Sequence, residues 1–205
     1  MKNRMSLEFH PLSDFVCVVG RKASGKTKYT EFLLKRLPKK IMIDPTWQLA
    51  HLGYVVHFPD RITAAFKEWK QVVFQPKHMT SEVYEECFSQ CLQLTNYTLG
   101  VDEIDKLARP RWYITEYLHE VINRGRHQGI GLICNSRRPA MMHNDIRSNA
   151  DYVVCFHLHE ERDVKYMADW LNVTEDKIKN LPAYQSLLFN VKNHSVTPQL
   201  PCRLV

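Results

Sequence analysis

Residues 20–27, Gly-Arg-Lys-Ala-Ser-Gly-Lys-Thr, fit the pattern G-x-x-x-x-G-K-[ST] (Walker A) at every fixed position. No other stretch narrows the fold as much. The pattern works only where a strand delivers the chain into a tight loop and a helix carries it away. Both flanks comply: Phe15-Val-Cys-Val-Val19 is apolar and β-branched, and Tyr29, Phe32, Leu33, Leu34 and Leu37 recur at helical spacing. Such a loop turns successive backbone N–H groups inward, and the helix starting near Gly25 aims the positive end of its dipole at the same point. The result is a cradle for phosphate oxygens. Gly20, Arg21, Lys22, Ala23, Ser24, Gly25, Lys26 and Thr27 are therefore the candidate nucleotide-binding residues. Lys26 is expected to reach the β- and γ-phosphates of ATP, and the Thr27 hydroxyl to ligate Mg2+.

The rest of the chain alternates strand and helix signals. Residues 1–14 read as a leader ending in a turn at Pro11 to Asp14, and Pro38-Lys-Lys40 closes the first helix with the positive charge its C-terminus favours. Strands are expected at Ile41–Ile43, Tyr54–Phe58, Val72–Phe74, Tyr97–Val101, Ile130–Cys134, Asp151–Phe156 and Tyr184–Val191. Helices are expected over Ile62–Trp69, Ser81–Leu94, Trp112–Ile122 and Glu161–Leu171, and residues 192–205 read as a tail. The early strands are nearly continuous in apolar residues, which implies an α/β fold with a mainly parallel sheet covered on both faces. The 205 residues, 44% of them hydrophobic, suffice for one domain with a substantial core.

A phosphate loop binds nucleotide; hydrolysis needs an acidic station on a neighbouring strand end. Val101-Asp102-Glu103 (the Walker B position) supplies it, with Asp102 holding Mg2+ through water and Glu103 orienting and deprotonating the attacking water. Thr98 and Gly100 interrupt the apolar run before it, and two acids at a helix start are also favoured electrostatically without any catalysis. Asp105 is a secondary candidate.

Lys and Arg total 28 against 22 Asp and Glu, a formal +6 with a pI near 9.0, which suits an anionic partner without demanding one. The six cysteines (17, 87, 91, 134, 155 and 202) show no paired C-x-x-C spacing, so neither a zinc ribbon nor a disulfide framework is indicated and a reducing setting is expected. No apolar run approaches membrane-spanning length, and a soluble chain is expected. No N-K-x-D guanine-reading motif is present.

Gly20 to Thr27, Ile43-Asp44-Pro45, Val101-Asp102-Glu103, Gly125-Arg126-His-Gln-Gly129-Ile130 and Ser136-Arg-Arg138-Pro139 occur in an order that resembles the FtsK/HerA superfamily of P-loop DNA-pumping ATPases. In size the chain looks like the genome-packaging ATPases of tailless icosahedral viruses with internal membranes. The resemblance spans roughly residues 14–191. It implies a RecA-like core whose last-motif strand lies between the P-loop strand and the acidic strand. It also implies a homo-oligomeric ring of six or five subunits with nucleotide at each interface. Partners would be double-stranded DNA and capsid or vertex proteins, in host cytoplasm or at the virion packaging vertex. Arg126 falls where the family's G-R motif carries the arginine finger that acts in trans, with Arg124 as the fallback. Both arginines also suit a helix C-terminus. Arg137 stands where the family often has a sensor glutamine; it could contact the γ-phosphate as a planar cation or face DNA or a neighbour. Lys106, Arg109 and Arg111, beside Trp112, are candidate DNA contacts, or else a solvated loop. Two other readings compete: a P-loop kinase of a small molecule or nucleic acid, with Arg124, Arg126, Arg137 and Arg138 clamping the donor, and an ATPase for phage assembly or extrusion.

Overall fold

The computed structural model describes residues 7–109 and 113–201. In chain order the elements are β1 (Phe15–Val19), α1 (Lys26–Lys35), β2 (Lys40–Ile43), β3 (Tyr54–Val56), α2 (Ile62–Trp69), β4 (Gln71–Phe74), α3 (Ser81–Leu92), β5 (Tyr97–Val101), β6 (Ala108–Arg109), β7 (Tyr113–Ile114), α4 (Glu116–Arg124), β8 (Ile130–Ser136), α5 (Asn144–Asn149), β9 (Tyr152–Phe156), α6 (Glu161–Leu171), α7 (Glu175–Lys179), β10 (Ser186–Asn190) and β11 (Ser195–Gln199). Nine strands form one sheet in the order β11-β10-β9-β1-β8-β5-β2-β4-β3, and β6 and β7 make a separate hairpin. β9, β1, β8, β5, β2, β4 and β3 run parallel; β10 and β11 add an antiparallel edge. This is the expected α/β class. The strand carrying Ser136 does lie between the phosphate-loop strand and the acidic strand, with Val19 opposite Ser136 and Val101 opposite Cys134.

Alternation along the strands splits the core in two. Val16 and Val18 join Met42, Val73, Ile133 and Val154 under Tyr29, Leu33 and Leu34 of α1. Phe15, Cys17 and Val19 face the opposite way, where α2, α3, α4 and α6 supply Phe66, Phe88, Leu118 and Met167. Burial on both faces is why these strands lack polar alternation. Cys17, Cys87, Cys91, Cys134 and Cys155 are free and buried among them as small apolar groups, and Cys202 lies outside the described residues.

Packing accounts for the two residues that break the β5 run. Thr98 donates its hydroxyl to the Pro11 carbonyl at 2.6 Å, tying the leader to the sheet. Gly100 leaves space for its neighbours, since a Cβ there would stand 2.5 Å from Met42 Sδ and 3.0 Å from Leu34 Cδ1.

Several expectations need correction. The helix expected from Trp112 starts instead at Glu116, because Thr115 caps it by accepting the Leu118 N–H at 3.2 Å, and the β6–β7 hairpin occupies part of the preceding segment. Trp112 and Arg111 lie outside the described residues. Lys40, in the basic segment that closes the first helix, is not a solvated cation but 2% exposed, and donates to the Leu37 carbonyl and to Gln71 Oε1. Residues 195–199, read as tail, extend the sheet as β11, and Tyr184 lies in a turn ahead of β10. Gly100→Val should lower the stability to urea by about 1–3 kcal/mol through overpacking against Met42 and Leu34, read as a shift in unfolding midpoint.

Candidate active site

Strand direction assembles the site. β1, β8 and β5 are parallel neighbours, so the segments leaving their C-terminal ends, the Gly20–Gly25 loop, Arg137 and Asp102-Glu103, meet on one edge of the sheet. In an open α/β sheet that edge is where ligands bind.

The loop has the geometry the pattern requires. Gly20 has φ 156°, and a Cβ on it would lie 2.6 Å from Ser24 Oγ and 2.7 Å from Phe156 Cβ. Ala23 (φ 61°) and Gly25 (φ 112°) continue the left-handed backbone. Ser24 Oγ is buried with no hydrogen-bond partner among the described residues, and α1 begins with no side-chain cap on its first N–H groups. A ligand rich in acceptors would satisfy both. Lys26 is buried and its Nζ donates to the Arg21 carbonyl at 2.8 Å. Burial first, then the Arg137 guanidinium, lower its pKa to about 8, with Asp102, Asp105 and Glu103 pulling the other way. Thr27 follows, half-buried, in the first turn of α1.

Across β8 stand the acids. Asp102 is buried, and that burial, with the Glu103 and Asp44 charges, pushes its pKa up while hydrogen bonds from Thr46 and Asn135 pull it down. Thr46 Oγ1 bridges Asp102 Oδ2 at 2.8 Å and Asp44 Oδ1 at 3.1 Å, and Asp44 also accepts from Leu49 N and Gln75 Nε2. Glu103 adopts φ 52°, uncommon for a residue with a side chain and found disproportionately at functional sites, with its N–H donated to Asn135 Oδ1 at 2.9 Å. One Glu103 carboxylate oxygen pairs with the Arg137 guanidinium and the other with the Lys106 ammonium. Asp105 accepts the Arg137 N–H at 3.3 Å and is likewise raised by burial, so it anchors the segment after β8.

Arg137 and Arg138 divide their work. Arg137 turns into the site. Arg138 donates Nε to Asp163 Oδ2 at 2.8 Å, while Asp163, fully buried in α6, also takes the Ala140 N–H at 3.0 Å. A cavity of about 140 Å3 opens beside the loop among Arg21, Lys22, Arg137, Arg138 and His159.

Lys26, Thr27, Asp102, Glu103 and Arg137 thus converge, and Lys106 joins them as a partner of Glu103. Arg126 does not. It is exposed in the 3₁₀ turn Gly125–Gln128 that precedes β8, on the opposite edge of the sheet, a seven-residue strand or about 23 Å from the loop. Arg124 lies at the same end and pairs with Glu120. Arg109 stands in the β6–β7 hairpin, which follows the acids. Asn135, Thr46 and Gln75 escaped sequence reading; the polar Asn135 at the end of the apolar run Ile130–Cys134 was the available signal.

The overall structure is similar to that of the genome packaging NTPase B204 from Sulfolobus turreted icosahedral virus 2 in complex with AMPPCP, with TM-score 0.79 and 20% identity over 93% of this chain and 98% of that one. The chain shares the fold of B204. Similar too is B204, the DNA-packaging ATPase from Sulfolobus turreted icosahedral virus, at TM-score 0.78 and 22% identity, covering 95% of this chain and 100% of that one. VirB4 of Thermoanaerobacter pseudethanolicus follows at 0.64 and 12% identity, covering 86% of each chain. The resemblance read from the motifs is therefore borne out in the fold. The sequence matches no family model and no curated protein sequence.

Among the described residues no cluster of three or more His, Cys, Asp or Glu side chains could hold a metal alone, and no helix is long and apolar enough to cross a membrane. The buried charge of Lys26 carries a stability signature. Its pKa falls from 10.5 to about 8 on folding, so the unfolded chain binds the extra proton between those values. Folding is penalised below pH 8, and the penalty is relieved as pH rises through that window. Lys26→Met should be more stable than wild type at pH 7, with the difference shrinking by about pH 9.5 in paired urea titrations.

Proposed function

We propose that this chain is an ATPase that drives double-stranded DNA into a viral capsid, hydrolysing ATP at the subunit interfaces of a five- or six-membered ring. The observation that carries this reading is the meeting of a P-loop lysine and an Asp-Glu pair across β8, on a fold shared with B204 almost end to end. B204 is described as a DNA-packaging ATPase. The kinase and extrusion readings have no comparable support here.

In this reading Gly20, Arg21, Lys22, Ala23, Ser24 and Gly25 wrap the phosphates with backbone N–H groups, and the Ser24 hydroxyl gains the partner it lacks. Lys26 neutralises the β- and γ-phosphates; their charge raises its pKa again and keeps it a cation. Thr27 and Asp102 suit Mg2+, a hard ion usually held by one or two protein oxygens, water and substrate phosphates. When bound, Mg2+ would neutralise charge on the β- and γ-oxygens. Asp44 and Thr46 orient Asp102 for that role.

Glu103 is the general base. It takes a proton from the water that attacks the γ-phosphorus, the bond to the β,γ-bridging oxygen breaks, and ADP and phosphate leave. It does so only when freed from the double pairing with Arg137 and Lys106, which holds its lone pairs in the ligand-free state. Arg137 can then turn to the γ-phosphate, taking the sensor's place. Lys106 also belongs to the candidate DNA contacts with Arg109 and Arg111, so a DNA phosphate that captures Lys106 loosens the hold on the base. Hydrolysis and DNA engagement share one cation. Arg126, too far from its own loop to serve it, acts as the finger on a neighbour's nucleotide.

ATP turnover measured with and without long double-stranded DNA, alongside mass by light scattering, tests the whole reading. DNA stimulation with oligomers is the expected result; DNA-indifferent turnover by a stable monomer would overturn it. Glu103→Gln should bind ATP yet lose about 10²–10⁴-fold in turnover. Arg126→Ala subunits should depress wild-type neighbours in mixed rings more than their share, whereas activity proportional to the wild-type fraction would remove the trans role.

A further inference from the structure

On the same edge, beside the phosphate loop, Tyr184 presents an exposed aromatic ring. Tyr184 is 57% exposed, and its ring meets the phosphate loop: Tyr184 Cδ1 lies 3.3 Å from where a Cβ on Gly25 would be. The ring of Phe156 approaches Gly25 to 3.2 Å in the same way, and Phe156 is buried and packs edge-on to Tyr29 of α1. Tyr184 therefore stands at the loop's rim beside a packed aromatic support.

Its backbone is held against preference. The Gln185 N–H donates to the Pro182 carbonyl at 3.1 Å, closing a four-residue turn whose third residue, Tyr184, has φ 63°. Turns with positive φ at that position favour glycine or asparagine. A tyrosine there strains the fold locally.

The sheet order says which end of a nucleotide this ring would meet. Asp102 and Glu103 follow β5, on one side of β1; β9 and β10, between which Tyr184 sits in sequence, lie on the other side. A triphosphate with its terminal phosphate toward the acids sends its nucleoside end over Gly25 toward β9 and β10. We propose that Tyr184 is the stacking platform for the purine base, a binding residue of the nucleotide site. This rests on the ATPase reading above. Stacking recognises a π-face and not a hydrogen-bond pattern, so the platform would serve adenine and guanine alike.

Titration calorimetry with ATP, and with inorganic tripolyphosphate as a ligand that keeps the phosphates but lacks the base, tests this on the full chain. Tyr184→Gly should weaken ATP about 5- to 100-fold and leave tripolyphosphate unchanged. Because glycine relieves the turn, the same variant should melt at a higher temperature than wild type, which rules out misfolding as the cause. Tyr184→Phe should retain ATP affinity. Equal ATP affinity in wild type and Tyr184→Gly would overturn the platform, as would a parallel loss of ATP and tripolyphosphate. A change in oligomeric state with ATP binding intact would assign the ring to a neighbouring copy instead. If wild type bound neither ligand, the nucleotide reading itself would fall, and the platform with it.

Discussion

Parallel pairing of β1 with β8 and of β8 with β5 is the constraint on which the rest depends. A parallel strand carries its neighbour's functional segment to the same edge, whatever lies between them in sequence. The phosphate loop, Arg137 and the Asp-Glu pair are separated by up to some hundred residues of chain, yet all leave strand ends within three adjacent strands. The apolar register that locks these strands also locks the site. A slip of one residue would invert every side chain between the α1 face and the face covered by α2, α3, α4 and α6.

Charge is concentrated on that edge. Lys26, Asp102, Glu103 and Asp105 are buried together, and the half-exposed Arg137 and Lys106 close over Glu103 from the solvent side. Mutual pairing makes the ligand-free arrangement tolerable, while burial keeps Lys26 below and Asp102 above their ordinary pKa values. The same pairing holds Glu103, the base in the function proposed here, and Arg137 against each other. A polyanion entering the loop would redistribute these contacts. Arg138 stays out of the exchange because Asp163 ties it to α6.

Much of this was legible in the chain. The strand, tight loop and helix around residues 15–35 were legible because they are local: glycine placement, the apolar strand and the helical repeat all lie within about twenty residues. Ile62–Trp69 and Glu161–Leu171 likewise matched their helices, since their amphipathic period is unbroken. Less was legible where long-range contacts decide. Lys40 reads as a surface cation but is buried because Gln71 and the Leu37 carbonyl receive its charge. The Thr98 and Gly100 interruptions looked like weakness in β5 and are instead places where the leader and Met42 press on the strand.

By itself the sequence determined the α/β class, the strand-loop-helix run around residues 20–27 and the acidic character of the β5 end. Each depends on neighbours in the chain, through backbone geometry and hydrophobic period. Only the tertiary structure decided that Arg137 faces Glu103 while Arg138 serves Asp163, that Arg126 lies a strand length from its own loop, and that Tyr184 reaches Gly25. Strand order and crossover connections set those distances. Residues adjacent in sequence diverge at a strand end, and residues far apart in sequence meet there.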